Sequence, residues 1–289
     1  MAIKSILVSL DGTETSTATL ATAFQVVQRF KVHADVLHVR PDSLTSVPAI
    51  GEGMNPRLAE DFARDHEKTS QGRSDAARRV FDDLCGRNGI AVVESGPTRD
   101  GVSASFIEKV GRRHLVMTRL GRVHDLIVVN HPTNRRDLAH SMTIYALFDT
   151  GRPVLVVPKK APTVMGDVIA IAWNGSAECA RAVASATNFF PFAKKVFILT
   201  ADSERTPLSV VPELASYLEC HGVPVETRVF AHMGRRHLGG KRLLKAVAEV
   251  GADLLVMGAH RVAPLTEFIL GSATRQVLEG ADIPILMQH

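Results

Sequence analysis

Residues 168–190, VIAIAWNGSAECARAVASATNFF, restate the plan of residues 5–27, SILVSLDGTETSTATLATAFQVV. Each begins with an apolar run rich in Val and Ile. A polar turn ending Asp/Asn-Gly-Thr/Ser follows, then a small-residue segment with helical spacing. A second apolar run follows in both copies, ADVLHVRPD at 34–42 and KVFILTADS at 195–203. Further on stand HDLIVVNHP at 124–132 and ADLLVMGAH at 252–260, and the copies close on GRPVLVVP and DIPILMQH. Ser141 and Ser272 lie 131 residues apart, as do Pro153 and Pro284. Asp125 and Asp253 lie 128 apart, and Gly12 and Gly175 lie 163 apart, so the first copy carries 35 additional residues between those points. The stretch PDSLTSVPAIGEGMNPRLAEDF at 41–62, rich in Pro, Gly and Ser, reads as a loop insertion. A repeat on this scale decides the architecture before any single motif does.

Strands of continuous Val, Ile and Leu alternating with helices indicate parallel sheets covered on both faces. The expected fold is α/β, two doubly wound Rossmann-like domains in tandem, at 1–158 and 167–289. KKAPTVMGD at 159–167 has linker composition, and residues 159–166 are taken as the joint. The closing strands PVLVVP and PILMQH are suited to pair edge to edge within the chain, making it an intrachain pseudo-dimer that could pair again as a homodimer. Ligands of such sheets bind beyond the carboxyl ends of the strands, where strand order reverses.

Bulk properties narrow the function classes. At 289 residues the chain accommodates two domains, and 45% hydrophobic with 22% charged residues is an ordinary globular balance. No run of eighteen apolar residues offers a membrane span. A net charge of +4 favours anionic ligands. It is too weak to argue for nucleic acid, and an aromatic content of 5% offers little for base stacking. Cys85, Cys179 and Cys220 form no CxxC pair and no even set, so free thiols in the cytoplasm are expected. The twelve histidines show no metal-ligand spacing, and no metal site is assigned.

The longest loop motif follows the apolar run 254–257. It begins at Gly258 and ends at Gly271-Ser272, with Arg261 between them. A helix start presents unpaired N–H groups and partial positive charge to an anion. Glycine permits close approach and positive φ, and Ser272 can cap the helix or meet the anion. The plainer reading makes Gly258 a strand end and Gly271-Ser272 a helix cap. On spacing alone both stand.

The pattern Gly258-x2-Arg261-x9-Gly271-Ser272, the turns SLDGT and AWNGS, and the closing ADIPILM together resemble the universal stress protein family. The ATP-binding members of that family show G-x2-G-x9-G-[ST]. The resemblance covers the chain as a tandem pair, apart from the first-copy insertion. It implies an adenine nucleotide, ATP or AMP with or without Mg2+, in the second copy. Carried over by position, it assigns contacts to Ala172, Trp173, Asn174 and Ala201 at the strand ends and to Gly258, His260, Arg261, Gly271, Ser272 and Ala273 on the loop. Asn174 stands where the family has an acidic residue, yet its amide can bond ribose hydroxyls. Arg261 replaces a glycine and adds a guanidinium able to fork onto phosphate, or to point to solvent. In the first copy Asn130 and His140 replace the glycines, and the loop is three residues shorter, so a degenerate site is expected there. The resemblance also allows a scaffold that binds protein partners without nucleotide.

Other signals are weaker. GRRHLGGKRLLKAV at 234–247 is one residue out of register with a phosphate-binding P-loop and lacks its hydroxyl, so it reads as a basic helix start. Trp173, the single tryptophan, reads as strand-end packing or as a stacking surface. Cys179 reads as a buried hydrophobe. HEKTSQGRSDAARRVFDDLCGRNG at 66–89 reads as a charged helix ending at Gly86 or Gly89. No nucleophile–base pair stands out, so no catalytic residue is assigned and at most slow hydrolysis is expected.

Overall fold

The computed structural model describes the backbone of residues 2–41, 56–96, 101–131, 138–201, 209–230, 239–262 and 269–289. Side chains are described over the same ranges except 56–63, 138–141, 261, 262, 269 and 270. The first half contains β1 (Ser5–Ser9), α1 (Ser16–Phe30), β2 (His33–Arg40), α2 (Pro56–Asn88), β3 (Ala91–Val92) and β4 (Ser103–Val110). It continues with α3 (Arg113–Gly121), β5 (Leu126–Asn130), α4 (Leu138–Asp149) and β6 (Val154–Val157). The second half contains β7 (Val168–Ala172), α5 (Ala177–Ala186), a 3-10 turn (Phe190–Phe192), β8 (Lys195–Ala201), α6 (Val210–Cys220) and β9 (Val225–Phe230). It ends with α7 (Gly239–Glu249), β10 (Leu254–Gly258), β11 (Arg261–Val262), β12 (Ile269–Leu270), α8 (Ser272–Gly280) and β13 (Ile285–Gln288).

Eleven strands form one sheet in the order β3-β4-β2-β1-β5-β6-β13-β10-β7-β8-β9. Within each half every pairing in this sheet is parallel, while β6 and β13 pair antiparallel through Val154↔Met287, Leu155↔Leu286 and Val156↔Ile285. The two closing strands therefore weld the halves into a single sheet, as the sequence suggested. The halves are built alike at the level of single bonds. Leu10 N donates to the Leu37 carbonyl and Trp173 N to that of Leu199, both at 2.9 Å. Ile127 N donates to Pro153 and Leu255 N to Pro284, both at 3.0 Å. Asp125 accepts from the amides of Lys4 and Ser5, and Asp253 from those of Gly166, Asp167 and Val168. One carboxylate in each half thus fixes the entry of the first strand, although burial raises the Asp253 carboxyl above its usual range.

Alternation along the strands sends side chains into two cores, one on each face of the sheet. Ile6 and Val8 join Phe24 of α1, Phe81 of α2, Val183 of α5 and Leu218 of α6. Leu7 faces the other way, with Met117 of α3, Leu147 of α4, Leu243 of α7 and Leu278 of α8. Helices on both faces of a largely parallel sheet make the doubly wound α/β fold expected from the apolar runs. Burying each such side chain contributes about 1.5–3 kcal/mol. Across the joint, Phe30 meets Phe189 edge to face at 5.0 Å, and the Arg29 guanidinium lies 5.6 Å from the Phe192 ring.

The loop reading of residues 56–62 does not hold, because they open α2, a helix of 33 residues beginning at Pro56. Proline is at home in a first helical turn, where its missing N–H costs nothing. Buried Ser70, Ser74, Ala77, Phe81 and Leu84 recur with helical spacing, so the helix lies along the sheet. Residues 42–55 lie outside the described ones. The helix ends before Gly89, whose φ of +62° reverses the chain, at one of the two glycines expected to end it.

At the amino ends of β2 and β4 the core encloses a polar brace. Asp35 Oδ1 accepts from His33 Nε2 at 3.0 Å and from the Ser105 hydroxyl, and Oδ2 from His124 Nε2 at 3.0 Å. His33 Nδ1 lies 2.8 Å from Ser103 Oγ. Burial alone would raise the Asp35 carboxyl, but the bonds from His124, His33 and Ser105 outweigh it and hold it well below the usual range. A depressed carboxyl stabilises the fold above its unfolded value, about 3.9, and loses that contribution as pH falls. Asp35→Asn is expected to cost on the order of 2–4 kcal/mol near neutrality. In urea titrations its deficit against the parent protein should shrink steadily below about pH 4.

Candidate functional site

Three strand ends converge where the order reverses in the second half: Ala172 on β7, Ala201 on β8 and Gly258 on β10. Beyond β7 the chain turns through Asn174, whose Oδ1 accepts from Ser176 N at 3.0 Å, and Gly175 at φ +73°. Ser176 caps α5 by accepting from Cys179 N at 3.3 Å. Cys179 is buried, and its thiol donates to the Ala172 carbonyl at 3.3 Å. Trp173 donates its indole N–H to the Val210 carbonyl at 3.1 Å and packs against the core, so it anchors the start of α6 to the turn. Ala201 ends β8 opposite Phe230.

Of the two properties expected of the glycines, close approach and positive φ, neither Gly258 nor Gly271 uses the second. Gly271 sits at φ −54° and ψ 146°, open to any residue. Gly258 is required by contact. A Cβ there would lie 2.6 Å from Cys179 N and 2.8 Å from the Glu178 carbonyl carbon, so the first turn of α5 rests directly on the strand end. The loop itself is a hairpin. β11 and β12 pair antiparallel through Arg261↔Leu270 and Val262↔Ile269, and Gly271 N donates to the His260 carbonyl at 3.2 Å. The Gly271 amide is thereby committed within the protein. The backbone of Arg261 lies in that ladder; its side chain and residues 263–268 lie outside the described ones.

At the start of α8, Ser272 and Ala273 are exposed, and Arg275 N closes the first turn by donating to the Gly271 carbonyl at 3.0 Å. The amides of Ser272, Ala273 and Thr274 have no partner four residues back in the helix, which leaves a seat for an anion. The start of α7 packs directly against this turn. A Cβ on Gly240 would lie 2.5 Å from the Ala273 carbonyl oxygen, and Lys241 N donates to Gln276 Oε1 at 3.2 Å. Two helix starts thus converge, with exposed Lys241 beside them. The remainder of the basic stretch, residues 234–238, lies outside the described ones.

A carboxylate faces the same end. Glu178 Oε1 lies 4.0 Å from His260 Nδ1 and 3.9 Å from Arg181. Its own backbone N–H, with Ser176, Arg181 and His260, holds the carboxyl below its usual value despite some burial. The base of the loop is locked from behind, since Ala259 N donates to the Gln288 carbonyl at 2.8 Å and His289 Nδ1 donates to the Ala259 carbonyl at 2.9 Å. His289 also meets Phe148 of the first half edge to face at 4.7 Å. Ala172, Asn174, Gly258, His260, Gly271, Ser272 and Ala273 therefore gather at one end of the sheet, whereas the Trp173 side chain is a packing contact.

The equivalent place in the first half is filled from within. The Asn130 amide donates to Asp11 Oδ2 at 2.9 Å and to Thr15 Oγ1 at 3.0 Å. Asp11 Oδ1 accepts from the Thr13 amide, the Thr13 hydroxyl and Ser16 Oγ. The Arg73 carbonyl of α2 rests on Gly12, leaving no space for a Cβ. Arg113 Nε donates to the Val39 carbonyl at 2.9 Å, at the end of β2, where burial and neighbouring Arg73 lower the guanidinium below its usual value. Only a shallow crevice of about 10 Å3, room for a single water, remains among Ser9, Leu10, Asp11, Val39, Arg113 and Met142.

Ser103, His33 and Asp35 line up in the order of a hydrolase triad, which the sequence reading missed. The pattern was available as His-x-Asp at 33–35 and Ser-x-Ser at 103–105, because alternate residues of neighbouring strands share a face. Ser103 is 0% exposed, so no substrate reaches it, and the group is a structural brace. Among the described residues no group of three His, Cys, Asp or Glu is placed to hold a metal ion. No described helix is long and apolar enough to cross a membrane.

These features can be set beside known proteins. Residues 165–289 match the model of the universal stress protein family. The second half is thus a doubly wound α/β domain similar to the universal stress protein family over residues 165–289. No curated protein matches the chain. Among solved structures, a universal stress protein from Archaeoglobus fulgidus shares 17% identity at a TM-score of 0.70, covering 98% of this chain and 95% of its own. A putative universal stress protein from Pseudomonas aeruginosa shares 16% identity at a TM-score of 0.59, covering 99% and 93%. These likenesses extend the fold over both halves.

The contact at Gly258 yields a direct test. Gly258→Ala forces its methyl group into backbone atoms of α5, and such overpacking costs about 1–3 kcal/mol. Chemical denaturation should show a lower midpoint at unchanged slope, whereas Gly271→Ala, at an unstrained φ, should leave the midpoint nearly unmoved.

Proposed function

We propose that the protein is a regulatory nucleotide-binding stress protein whose second half, residues 167–289, takes ATP or AMP, while the first half, residues 1–158, serves as its structural partner. The observation that carries this reading is the pair of helix starts, α7 and α8, meeting at Gly240 and Ala273 beside exposed Lys241. The unpaired amides at the start of α8, with the positive end of its dipole, favour a phosphate. The Asn174 amide nitrogen, without a partner among the described residues, is the donor for a ribose hydroxyl. Ala172 and Ala201 supply backbone groups at the strand ends for the base, and Arg261 adds a cation to the loop. Glu178 opposes a bare polyphosphate, which favours a nucleotide already neutralised by Mg2+. No group is assigned to chemistry, so binding acts by stabilising one state and its partner surface.

One observation favours a second reading. The Gly271 amide is bonded to His260, and a loop closed in this way suits a scaffold that recruits proteins without nucleotide.

Thermal unfolding distinguishes the two. A ligand at 100 times its Kd stabilises by about 2.7 kcal/mol. Millimolar ATP with Mg2+ should therefore raise the melting temperature by several degrees, with Gly271→Phe abolishing the shift and His140→Ala preserving it. No shift in the parent protein would favour the scaffold.

A further inference from the structure

The outermost strand of the second half, β9, ends the eleven-stranded sheet. Of its six residues, Glu226 to Val229 are exposed, with Val229 at 52%. Among the described residues, nothing pairs with its outer edge. The opposite end of the sheet is treated differently. There β3 pairs with the start of β4, and Arg40 joins Glu67 of α2 to Glu108 of β4. The ion pairs of β9 stay within the sheet: Glu226 meets Arg228 at 3.1 Å and Lys195 of β8 at 4.0 Å. A six-residue open edge, with its row of unpaired main-chain groups, is a template for another strand.

The side chains choose the occupant. A second copy of β9 can be laid antiparallel on the first, about a two-fold axis. Centring on Arg228 sets that arginine against itself, and centring on Glu226 does the same for the glutamate. Centres between residues match each charge with an uncharged side chain. Centring on Thr227 sets Glu226 against Arg228 of the other copy, twice by symmetry, and Val225 against Val229. Opposite charges and β-branched side chains directly across an antiparallel pair are the favourable combinations. A closed two-fold contact also removes the edge from further growth.

We infer that two copies of this chain associate through β9, antiparallel about Thr227, continuing the sheet from one molecule into the next. Main-chain bonds hold the pair, and the Glu226–Arg228 contacts set its register. Such a strand pair buries less than the roughly 1,200 Å2 of a standard interface, so the dimer is weak and reversible. The inference is independent of nucleotide binding.

Charge reversal tests it without disturbing the core, because both residues are on the surface. Sedimentation equilibrium of the full chain from about 10 to 500 µM should show a concentration-dependent monomer–dimer equilibrium, since interfaces of this size are transient. Glu226→Lys sets a lysine against Arg228 of the other copy, and Arg228→Glu sets two glutamates together. Each variant alone should associate at least tenfold more weakly, with an unchanged circular dichroism spectrum. Mixing the two variants restores opposite charges at every position and should return the parent's association. A parent protein monomeric throughout the range would overturn the inference. So would single variants that dimerise like the parent, or a mixture that fails to recover.

Discussion

The antiparallel contact between Val154–Val156 and Ile285–Met287 is the constraint on which the molecule depends. Each half would otherwise end on an open strand of apolar residues, and Leu155 and Leu286 are each at most 1% exposed once joined. Because the contact is antiparallel, every strand of the second half in this sheet runs opposite to those of the first. The carboxyl ends of the two central strand sets therefore lie on opposite edges of one sheet. The two equivalent strand-end positions are thus held apart on opposite edges of the sheet.

The two ends have changed in different directions. In the first half, polar side chains satisfy one another: Asn130 bonds Asp11, Arg113 bonds the end of β2, and the carbonyl of Arg73 sits on Gly12. In the second half the same ground is held by backbone. Gly258 admits α5, Gly240 admits α8, and the start of α8 carries only the small side chains of Ser272 and Ala273. Small residues there permit helices to approach until their starts share one position. That arrangement follows from packing as much as from the spacing of the loop glycines.

Most of the architecture was legible because apolar runs, glycine turns and paired aspartates recur in the same order in both halves. Asp125 and Asp253 are the clearest case, since each holds a first strand by the same kind of backbone bond. The start of α2 was hidden because Pro, Gly and Ser recur through residues 41–55, and the helical spacing becomes clear only from Ser70 onward. The site was harder. Spacing located Gly258 and Gly271 but not their purpose, because close approach of α5 is a tertiary contact with no local signature. Trp173 likewise has a bonding partner, Val210, that lies 37 residues away. The Asp35 brace escaped notice because its members come from three separated segments.

If main-chain amides at the start of α8 form an anion seat that the first half has lost, backbone amide NMR of the full chain during titration with ATP and Mg2+ will show it directly. Saturable shifts are predicted at Ser272, Ala273 and Thr274, with Gly12, Thr13 and Asn130 unmoved. Shifts centred on the turn at Asp11, or a spectrum unchanged at the start of α8, would contradict that assignment.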